Sequence, residues 1–318
     1  MELKNNSLPV RVILNPIAGK GRGIQRKEEI EKTLSDHNIE YELVVTERVW
    51  HAAELAQSTS PDKYSVVIAA GGDGTMNEVV NGLMLAAFNG QKIPKMAVMC
   101  VGRGNDFAYG ADIPTDLDKV ASLIASGTSR LMDVGKVTGG YYPGGRFFGN
   151  GIGVGFDTIV GLEAAKMTHV HGFMAYVLGA VKTFIKYPHR PLIEITYNGG
   201  TKTQRTPQIS LMYGKRMGGT FFMAPNAAND DGLLNLCMAD DVKRGQLISI
   251  IAMYTKGTQE KSPFITTDKA SRYHIKVLEG GLVVHADGET ICTEGKELLV
   301  ECLEKRIEII CETGKPER

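Results

Sequence analysis

The sequence lacks the features that mark several common classes of protein. Its 36 lysines and arginines balance 36 aspartates and glutamates, so the formal net charge is zero, and nothing predicts a nucleic-acid partner. No apolar run is long and uncharged enough to predict a transmembrane segment, and the polar start, Met1 to Asn6, is untypical of a signal peptide. The five cysteines lack C-x-x-C spacing, which favours reduced thiols and a cytoplasmic location.

What the sequence does contain is enough chain for two domains of different character. At 318 residues it exceeds the usual size of one hydrophobic core. Residues 1–133 alternate strand-like and helix-like segments, which predicts a doubly wound α/β domain with a mostly parallel sheet. Residues 134–303 contain mainly short strand-like segments, which predicts a β-rich sandwich domain. A helical pattern from about Thr158 to Lys186 interrupts this region, and its apolar face predicts packing on a sheet or, less often, contact with lipid.

The central motif of the first region is a strand, a glycine loop and a helix. The run from Ser65 to Ala70 is apolar and rich in β-branched residues, which predicts a buried strand. The glycines of Gly71-Gly72-Asp73-Gly74-Thr75 let the backbone turn sharply. Thr75 and Glu78 have the spacing of a capping box, which predicts the start of a helix. Such a helix start directs N–H groups at an anion, most often a phosphate, although a tight turn with an ordinary cap is the simpler alternative.

Two further loops of similar composition follow predicted strands. They run from Asn15 to Gly23 and from Gly102 to Asp106. The first lacks the spacing of a Walker A loop, so that class of nucleotide hydrolase is not supported. Because ligands bind beyond the carboxyl ends of parallel strands, the three loops together predict a nucleotide site.

Three acidic motifs are candidates for catalysis or metal binding. Asp73 lies beside the proposed phosphate loop, which suggests Mg²⁺ as a bridge, although a turn-forming role is an equal alternative. Asp231 lies in Asn229-Asp230-Asp231-Gly232, a pattern common in surface turns. Asp287 and Glu289 are two residues apart, so in a strand they would face one side and could share a site. Asp287-Gly288 is also typical of a hairpin turn.

Five motifs occur in order along nearly the whole chain. They are Asn15-Pro16 with Gly19, Gly71 to Thr75 with Asn77-Glu78, Gly102 to Phe107, Ala224-Pro225-Asn226 leading to Asp231-Gly232-Leu233-Leu234, and Asp287-Gly288-Glu289. In this ordered set the chain resembles the diacylglycerol-kinase catalytic-domain family, specifically the soluble bacterial lipid kinases. The glycine motif alone is shared with NAD kinases and phosphofructokinases.

The resemblance implies a nucleotide-binding α/β domain, a β-sandwich domain for substrate and metal, and an active site in the cleft between them. It implies that residues 304–318 return to the first domain. ATP would be bound by Asn15, Thr46, Gly71, Gly72, Asp73, Gly74, Thr75, Met76, Asn77 and Arg103. Glu289 would be the general base, with Asp287 and Asp73 as the other catalytic carboxylates. Asp231, with the carbonyls of Ala228 and Leu233, would hold a structural Mg²⁺.

The sequence departs from the family at Arg103, where the family usually has threonine. A guanidinium can bind phosphate, and it is also long enough to fill a nucleotide pocket. We therefore expect an ATP-dependent kinase of a primary hydroxyl in diacylglycerol or a related glycerolipid, acting in phospholipid biosynthesis. The enzyme would be cytoplasmic and would contact the membrane surface transiently without inserting. The alternatives are an NAD or sphingoid-base kinase and a nucleotide-binding regulator with degenerate catalysis. The sequence is compatible with a homodimer but does not fix the oligomeric state.

Overall fold

The computed structural model describes residues 8–102, 104–165, 182 and 190–313. The chain divides into two compact units, Met1–Val134 with Glu304–Arg318, and Gly135–Leu303. No helix in the described part of the chain is both long and apolar enough to cross a membrane. Of the helix predicted from about Thr158 to Lys186, the structure describes residues 158–165 and Lys182, and the predicted apolar face between Phe173 and Ile185 lies outside the described residues.

The first unit is built on a parallel sheet. Its elements are β1 (Val10–Leu14), α1 (Ala18–Gln25), α2 (Lys27–Asp36), β2 (Tyr41–Val45), α3 (His51–Gln57), β3 (Val66–Gly71), α4 (Asp73–Phe88), β4 (Lys95–Cys100), α5 (Asp106–Gly110), α6 (Leu117–Ser126) and the start of β5 (Ser129–Gly139). Strands β2, β1, β3 and β4 lie side by side in that order, and each neighbouring pair is parallel. All six residues of β3 are buried, as expected for the central strand of a parallel sheet. The predicted α/β fold is confirmed.

The end of the chain completes this sheet. The last strand, β16 (Glu297–Ile310), lies parallel to β4 and pairs Ile309 with Met96. The side chains of Ile307, Ile309 and Ile310 are buried. The Glu308 carboxylate accepts a hydrogen bond from the Ser129 hydroxyl at 2.6 Å and lies 2.9 Å from the ammonium of Lys95.

The predicted capping box is wrong, and its two residues make longer-range contacts instead. Helix α4 begins at Asp73 after Gly72, which has no side chain to act as a cap. Thr75 therefore lies inside the first turn. The carboxylate of Glu78 accepts hydrogen bonds from the backbone N–H groups of Trp50 at 2.9 Å and Ala52 at 3.1 Å. Glu78 thus satisfies unpaired amides at the start of α3 rather than those of its own helix.

The second unit contains an antiparallel β-sandwich. Its remaining elements are β6 (Tyr142–Phe148), β7 (Gly151–Gly155), α7 (Phe156–Ala165), β8 (Leu192–Tyr197), β9 (Gly200–Arg205), β10 (Gln208–Met212), β11 (Leu234–Ala239), α8 (Arg244–Tyr254), a 3-10 turn (Gln259–Lys261), β12 (Ile265–Ala270), β13 (Arg272–Glu279), β14 (Leu282–Ala286) and β15 (Glu289–Gly295). One sheet has the order β12-β11-β10-β7-β14-β15, and the other contains β13, β8, β9 and the first part of β16. Apolar residues of both sheets form one buried core, so the predicted sandwich is confirmed.

The six-stranded sheet also has a covered outer face. Ile209 and Leu211 belong to the core between the sheets, so Ser210 between them points to the other side. Ser210 pairs laterally with Gly153 of β7, and Gly153 pairs with His285 of β14. Apolar residues from the start of α7 and from α8 pack together on this outer side. Ser210, Gly153 and His285 therefore form a row across the sheet on the side where these helical residues pack.

Candidate functional site

Three loops of the first unit meet at the carboxyl ends of β1, β3 and β4. The side-chain amide of Asn15, after β1, donates to the Thr75 hydroxyl at 2.9 Å. The backbone N–H of Gly102, after β4, donates to the Gly71 carbonyl, which ends β3, at 3.1 Å. The sequence predicted this convergence from the position of each loop after a strand.

Close backbone approach explains why glycines occupy these loops. A Cβ on Gly102 would lie 2.5 Å from the Cα of Gly72, and a Cβ on Gly71 would lie 2.3 Å from the Thr75 hydroxyl oxygen. By contrast, a Cβ on Gly74 would meet nothing within 4 Å. Gly102 is therefore needed for packing between two loops and Gly71 for the tight turn toward Thr75 within its own motif, whereas the space around Gly74 is open to a bound group.

The loop after β1 has an unusual backbone conformation, because the range given for α1 (Ala18–Gln25) is interrupted by three residues that are not helical. Gly19, Lys20 and Gly21 have φ values of 61°, 68° and 84°, and such left-handed conformations are strained for a residue with a side chain. Lys20 is exposed. Because left-handed residues cost free energy and tend to persist at functional sites, the strain at Lys20 supports a binding role for this loop.

The Asp73 carboxylate links two of the loops. One of its oxygens accepts the backbone N–H of Phe107 at 3.1 Å, near the start of α5. A Cβ on Gly104 would lie 2.6 Å from the other oxygen. Asp73 thus accepts a backbone N–H, as the turn-forming alternative supposes, but that N–H belongs to the neighbouring loop and not to its own turn. The catalytic role of Asp73 stays a prediction.

The other residues predicted to bind nucleotide differ in accessibility. Thr46 is 9% exposed at the carboxyl end of β2. The side chain of Met76 is fully buried, and the role of this residue in ATP binding stays a prediction. Asn77 is 2% exposed, and its side-chain carbonyl accepts a hydrogen bond from Asn81 at 3.2 Å. Arg103 lies outside the described residues.

No reactive thiol accompanies the glycine loops in the described residues. Cys100, at the end of β4, is buried, and burial, followed by the negative charge of Asp73, raises the pKa of its thiol to about 12. The thiol therefore stays protonated at neutral pH and is a poor nucleophile. Its carbonyl accepts a hydrogen bond from the guanidinium of Arg26 at 3.2 Å.

In the second unit, Asp287 and Gly288 form a two-residue hairpin turn between β14 and β15. Their φ values are 48° and 89°, as a type I′ turn requires. Ala286 pairs with Glu289 across the hairpin. The expectation that Asp287 and Glu289 share one face of a strand is therefore wrong, and the hairpin alternative is correct. Glu289 is exposed at the first position of β15.

The Asp287 carboxylate fastens this turn to the chain segment before β7. One oxygen accepts the backbone N–H of Gly149 at 2.8 Å. The other accepts those of Asn150 at 3.0 Å and Gly151 at 2.9 Å. The N–H of Asp287 donates to the Gly151 carbonyl at 3.0 Å. Asp287 thus holds the hairpin on which Glu289 lies, and its direct role in catalysis stays a prediction.

The predicted metal ligand Asp231 lies in the turn before β11. One oxygen accepts the backbone N–H of Leu233 at 3.1 Å, and the other lies 3.0 Å from the ammonium of Lys269. In the described part of the chain, no three His, Cys, Asp or Glu side chains form a group that could hold a metal. Carboxylate and carbonyl oxygens suit Mg²⁺, so Asp231, Ala228 and Leu233 fit the ion in chemistry, but Mg²⁺ would have to displace Lys269.

Sequence reasoning missed two residues beside the hairpin. The imidazole of His285 accepts the backbone N–H of Gly288 through Nδ1 at 3.2 Å. Its Nε2 lies 4.0 Å from a carboxylate oxygen of Asp157. The only available signal was the position of His285 two residues before Asp287, and nothing in the sequence connects it to Asp157.

An α/β domain with a parallel sheet and an antiparallel β-sandwich together make an NAD kinase-like fold. The model of the diacylglycerol kinase catalytic domain matches residues 9–137, and that of the YegS C-terminal NAD kinase beta sandwich-like domain matches residues 150–311. The chain therefore belongs to the family that joins a diacylglycerol kinase catalytic domain to this C-terminal domain, which confirms the resemblance inferred from the five motifs. Membership of this kinase family makes the protein a phosphotransferase.

A curated relative agrees with this assignment, and two solved structures share the fold. A diacylglycerol kinase of Staphylococcus aureus (strain bovine RF122 / ET3-1) is 29% identical over 282 residues, 88% of this chain and 85% of that protein. The crystal structure of a diacylglycerol kinase from Bacillus anthracis str. Sterne has a TM-score of 0.71 at 22% identity and covers 97% of this chain and 98% of its own. An NAD kinase from Archaeoglobus fulgidus, solved in complex with ATP, has a TM-score of 0.52 at 12% identity, covering 95% and 93%. The two structures show the shared fold.

Proposed function

We propose that the protein is an ATP-dependent kinase that phosphorylates a primary hydroxyl of diacylglycerol or a related glycerolipid. The observation that carries the proposal is the meeting of three glycine loops in a chain of the diacylglycerol kinase family. The relative from Staphylococcus aureus is named for the same activity. Such a product belongs to phospholipid biosynthesis.

The glycine loops bind the nucleotide in this proposal. Backbone N–H groups at the start of α4 point toward the phosphates, where the positive end of the helix dipole favours negative charge. The open space at Gly74 admits a phosphate that a side chain would crowd. The hydrogen bond between Asn15 and Thr75 holds two of the loops together. Rigid loops reduce the ordering cost of binding and fix the donor phosphate.

Glu289 takes the proton from the acceptor hydroxyl as the hydroxyl oxygen attacks the γ-phosphorus, and the bond from the γ-phosphorus to the β,γ-bridging oxygen breaks, so that ADP leaves. The Asp287 turn supplies the rigid support, since Asp287 accepts three backbone N–H groups. Positioning and charge stabilisation provide most of the acceleration in phosphoryl transfer. Mg²⁺, when bound, offsets the phosphate charge or braces the fold, and Asp231 with the carbonyls of Ala228 and Leu233 would hold the structural ion.

The lipid acceptor requires contact with a membrane surface. We propose a cytoplasmic protein that binds there peripherally and transiently, since a diacylglycerol headgroup must reach a carboxylate without the acyl chains entering water. Neither a nucleic acid nor a transmembrane segment forms part of the proposal, and the proposal holds for a monomer and for a homodimer alike.

The proposal is tested with purified protein, radiolabelled ATP and a lipid extract, with products identified by mass spectrometry. Wild-type protein should form a phosphorylated glycerolipid. Glu289→Gln should abolish that product while nucleotide binding persists, because the amide has the same shape but cannot accept a proton. Glu294→Gln is the matched control, since Glu294 is also an exposed glutamate of β15. Equal turnover of both variants would refute Glu289 as the base.

Two other functions are separated by the same assay. Adding NAD and a sphingoid base as acceptors tests those kinase activities, which the fold shared with an NAD kinase brings into consideration. ATP binding without transfer to any acceptor would favour a nucleotide-binding regulator. Arg103 is the residue that suggests this alternative, and Arg103→Thr tests its role. The affinity for ATP should stay equal or rise if Arg103 fills the nucleotide pocket. A lower affinity in calorimetric titration would instead make Arg103 a phosphate ligand.

A further inference from the structure

His285 is linked directly to the turn that carries the proposed base. It belongs to β14, and its Nδ1 atom accepts the backbone N–H of Gly288, the second residue of the hairpin turn, at 3.2 Å. Gly288 immediately precedes Glu289. The imidazole therefore closes the hairpin from the strand side, while Asp287 fastens it to residues 149–151.

This hydrogen bond determines where the ring carries its proton. Because an N–H donates to Nδ1, the neutral ring must be protonated at Nε2. Nε2 lies 4.0 Å from the Asp157 Oδ2 atom. Among the described residues, that oxygen is buried and accepts no hydrogen bond, whereas Oδ1 accepts the backbone N–H of Thr158 at 2.6 Å. A carboxylate on the Nε2 side favours the tautomer that leaves Nδ1 free to accept.

Gly153 makes this arrangement possible. It lies on β7 opposite His285. A Cβ at this position would lie 2.2 Å from Oδ2 of Asp157 and 2.4 Å from Nε2 of His285. The two side chains therefore meet directly over the backbone of Gly153. Both are largely buried, with side-chain exposures of 14% for His285 and 19% for Asp157.

We infer that His285, oriented by Asp157, is a positioning residue that fixes the Asp287-Gly288 turn and thereby the carboxylate of Glu289. The inference rests on the proposed function, because Glu289 is the base only if the protein is that kinase. Removing a hydrogen bond to one turn residue leaves the fold intact but lets the following residue shift, and displacements of about 1 Å at a reacting group cost up to about 100-fold in rate.

Two amide variants separate the two sides of the ring. In His285→Asn the side-chain oxygen occupies the place of Nδ1 and can accept from Gly288. In His285→Gln the amide reaches the place of Nε2 and can face Asp157, but the acceptor for Gly288 is lost. His274→Asn is the control for replacing a histidine of the same unit, since His274 lies on β13 and pairs with Glu297.

The measurements are turnover, thermal stability and amide exchange. We expect kcat to fall about 10- to 100-fold in His285→Gln, to stay within about threefold of wild type in His285→Asn, and to be unchanged in His274→Asn. KM for ATP should not change. Hydrogen exchange at the Gly288 amide should accelerate in His285→Gln only. Asp157→Asn should lower kcat less than His285→Gln does. In the double variant of Asp157→Asn and His285→Gln the two decreases in kcat should not add, because both act through the hydrogen bond from Gly288 to His285.

The outcomes are distinguishable from failure of the proposed function. Equal kcat in the asparagine and glutamine variants, with active wild-type protein, overturns the inference and leaves the kinase assignment intact. Wild-type protein that phosphorylates no lipid alcohol overturns the kinase assignment and with it the catalytic part of the inference. The rate of hydrogen exchange at the Gly288 amide then tests whether His285 holds the turn. Faster exchange in His285→Gln alone supports the hydrogen bond between the ring and the turn, and equal exchange rates in all variants refute it.

Discussion

Gly102→Ala tests whether the glycine loops are packed against each other as described. The added Cβ would lie 2.5 Å from the Cα of Gly72, well inside van der Waals contact. Both atoms belong to backbone, so relief requires a loop to move, and overpacking of this kind costs about 1–3 kcal/mol. For a unit of this size each kcal/mol lowers the melting temperature by about 2–4 °C. We expect a decrease of about 2–12 °C and weaker ATP binding.

Gly74→Ala is the matched control for stability in the same motif, and its ATP affinity should fall because the methyl group enters the space proposed for a phosphate. Its Cβ would meet nothing within 4 Å, and the residue lies in the first turn of α4. Alanine there should stabilise the fold by about 0.4–1 kcal/mol, since glycine loses more conformational freedom on folding. Scanning calorimetry gives the stability, and fluorescence of Trp50, the only tryptophan, gives ATP binding. Equal stability of the two variants, or unchanged ATP affinity in Gly102→Ala, would refute the reasoning.

Three further predictions concern single side chains. Glu78→Ala should destabilise the protein by about 1–2 kcal/mol in urea unfolding, because two amides at the start of α3 lose their acceptor; wild-type stability would contradict that role. Mg²⁺ should raise the melting temperature of Lys269→Ala by about 2–4 °C more than that of wild type, because removing a competing ion pair is worth up to about 1 kcal/mol. Mg²⁺ should not raise the melting temperature of Asp231→Asn. A rise in that variant would exclude the site. The hydrogen bond from Ser129 lowers the pKa of Glu308 from its usual 4.5, so its contribution to stability is present above 4.5 and disappears as the pH falls through the lowered value. Glu308→Gln should therefore be less stable than wild type at neutral pH and equal in strong acid, whereas a difference that persists in acid would argue against an electrostatic origin.

Local sequence patterns predicted a buried strand, a hairpin turn and the meeting of the glycine loops. The apolar run before Gly71 predicted β3 because a strand buried on both faces needs apolar residues at every position. Asp287-Gly288 allowed a hairpin because both residues tolerate positive φ. The order of strands and glycine loops predicted that the loops would meet, since parallel strands end at the same edge of the sheet.

Contacts between distant residues were not predictable from local patterns. Thr75 and Glu78 have capping-box spacing, but both side chains bind partners from other elements. The sequence predicts Asp287 as a catalytic carboxylate or a turn residue, but its three amide partners come from a segment far away in the sequence. The ion pair between Lys269 and Asp231 likewise depends on the pairing of β11 with β12. A single sequence carries no direct record of such pairings.

The position of β16 beside β4 has a consequence for biosynthesis. Until residues 304–310 leave the ribosome, β4 has no neighbour on that side, and it exposes an edge whose residues are almost all apolar. Unpaired apolar edges promote association between nascent chains. The amino-terminal unit therefore cannot complete its sheet until residues 304–310 have been synthesised, and a chaperone that covers the edge of β4 until then would reduce association between nascent chains.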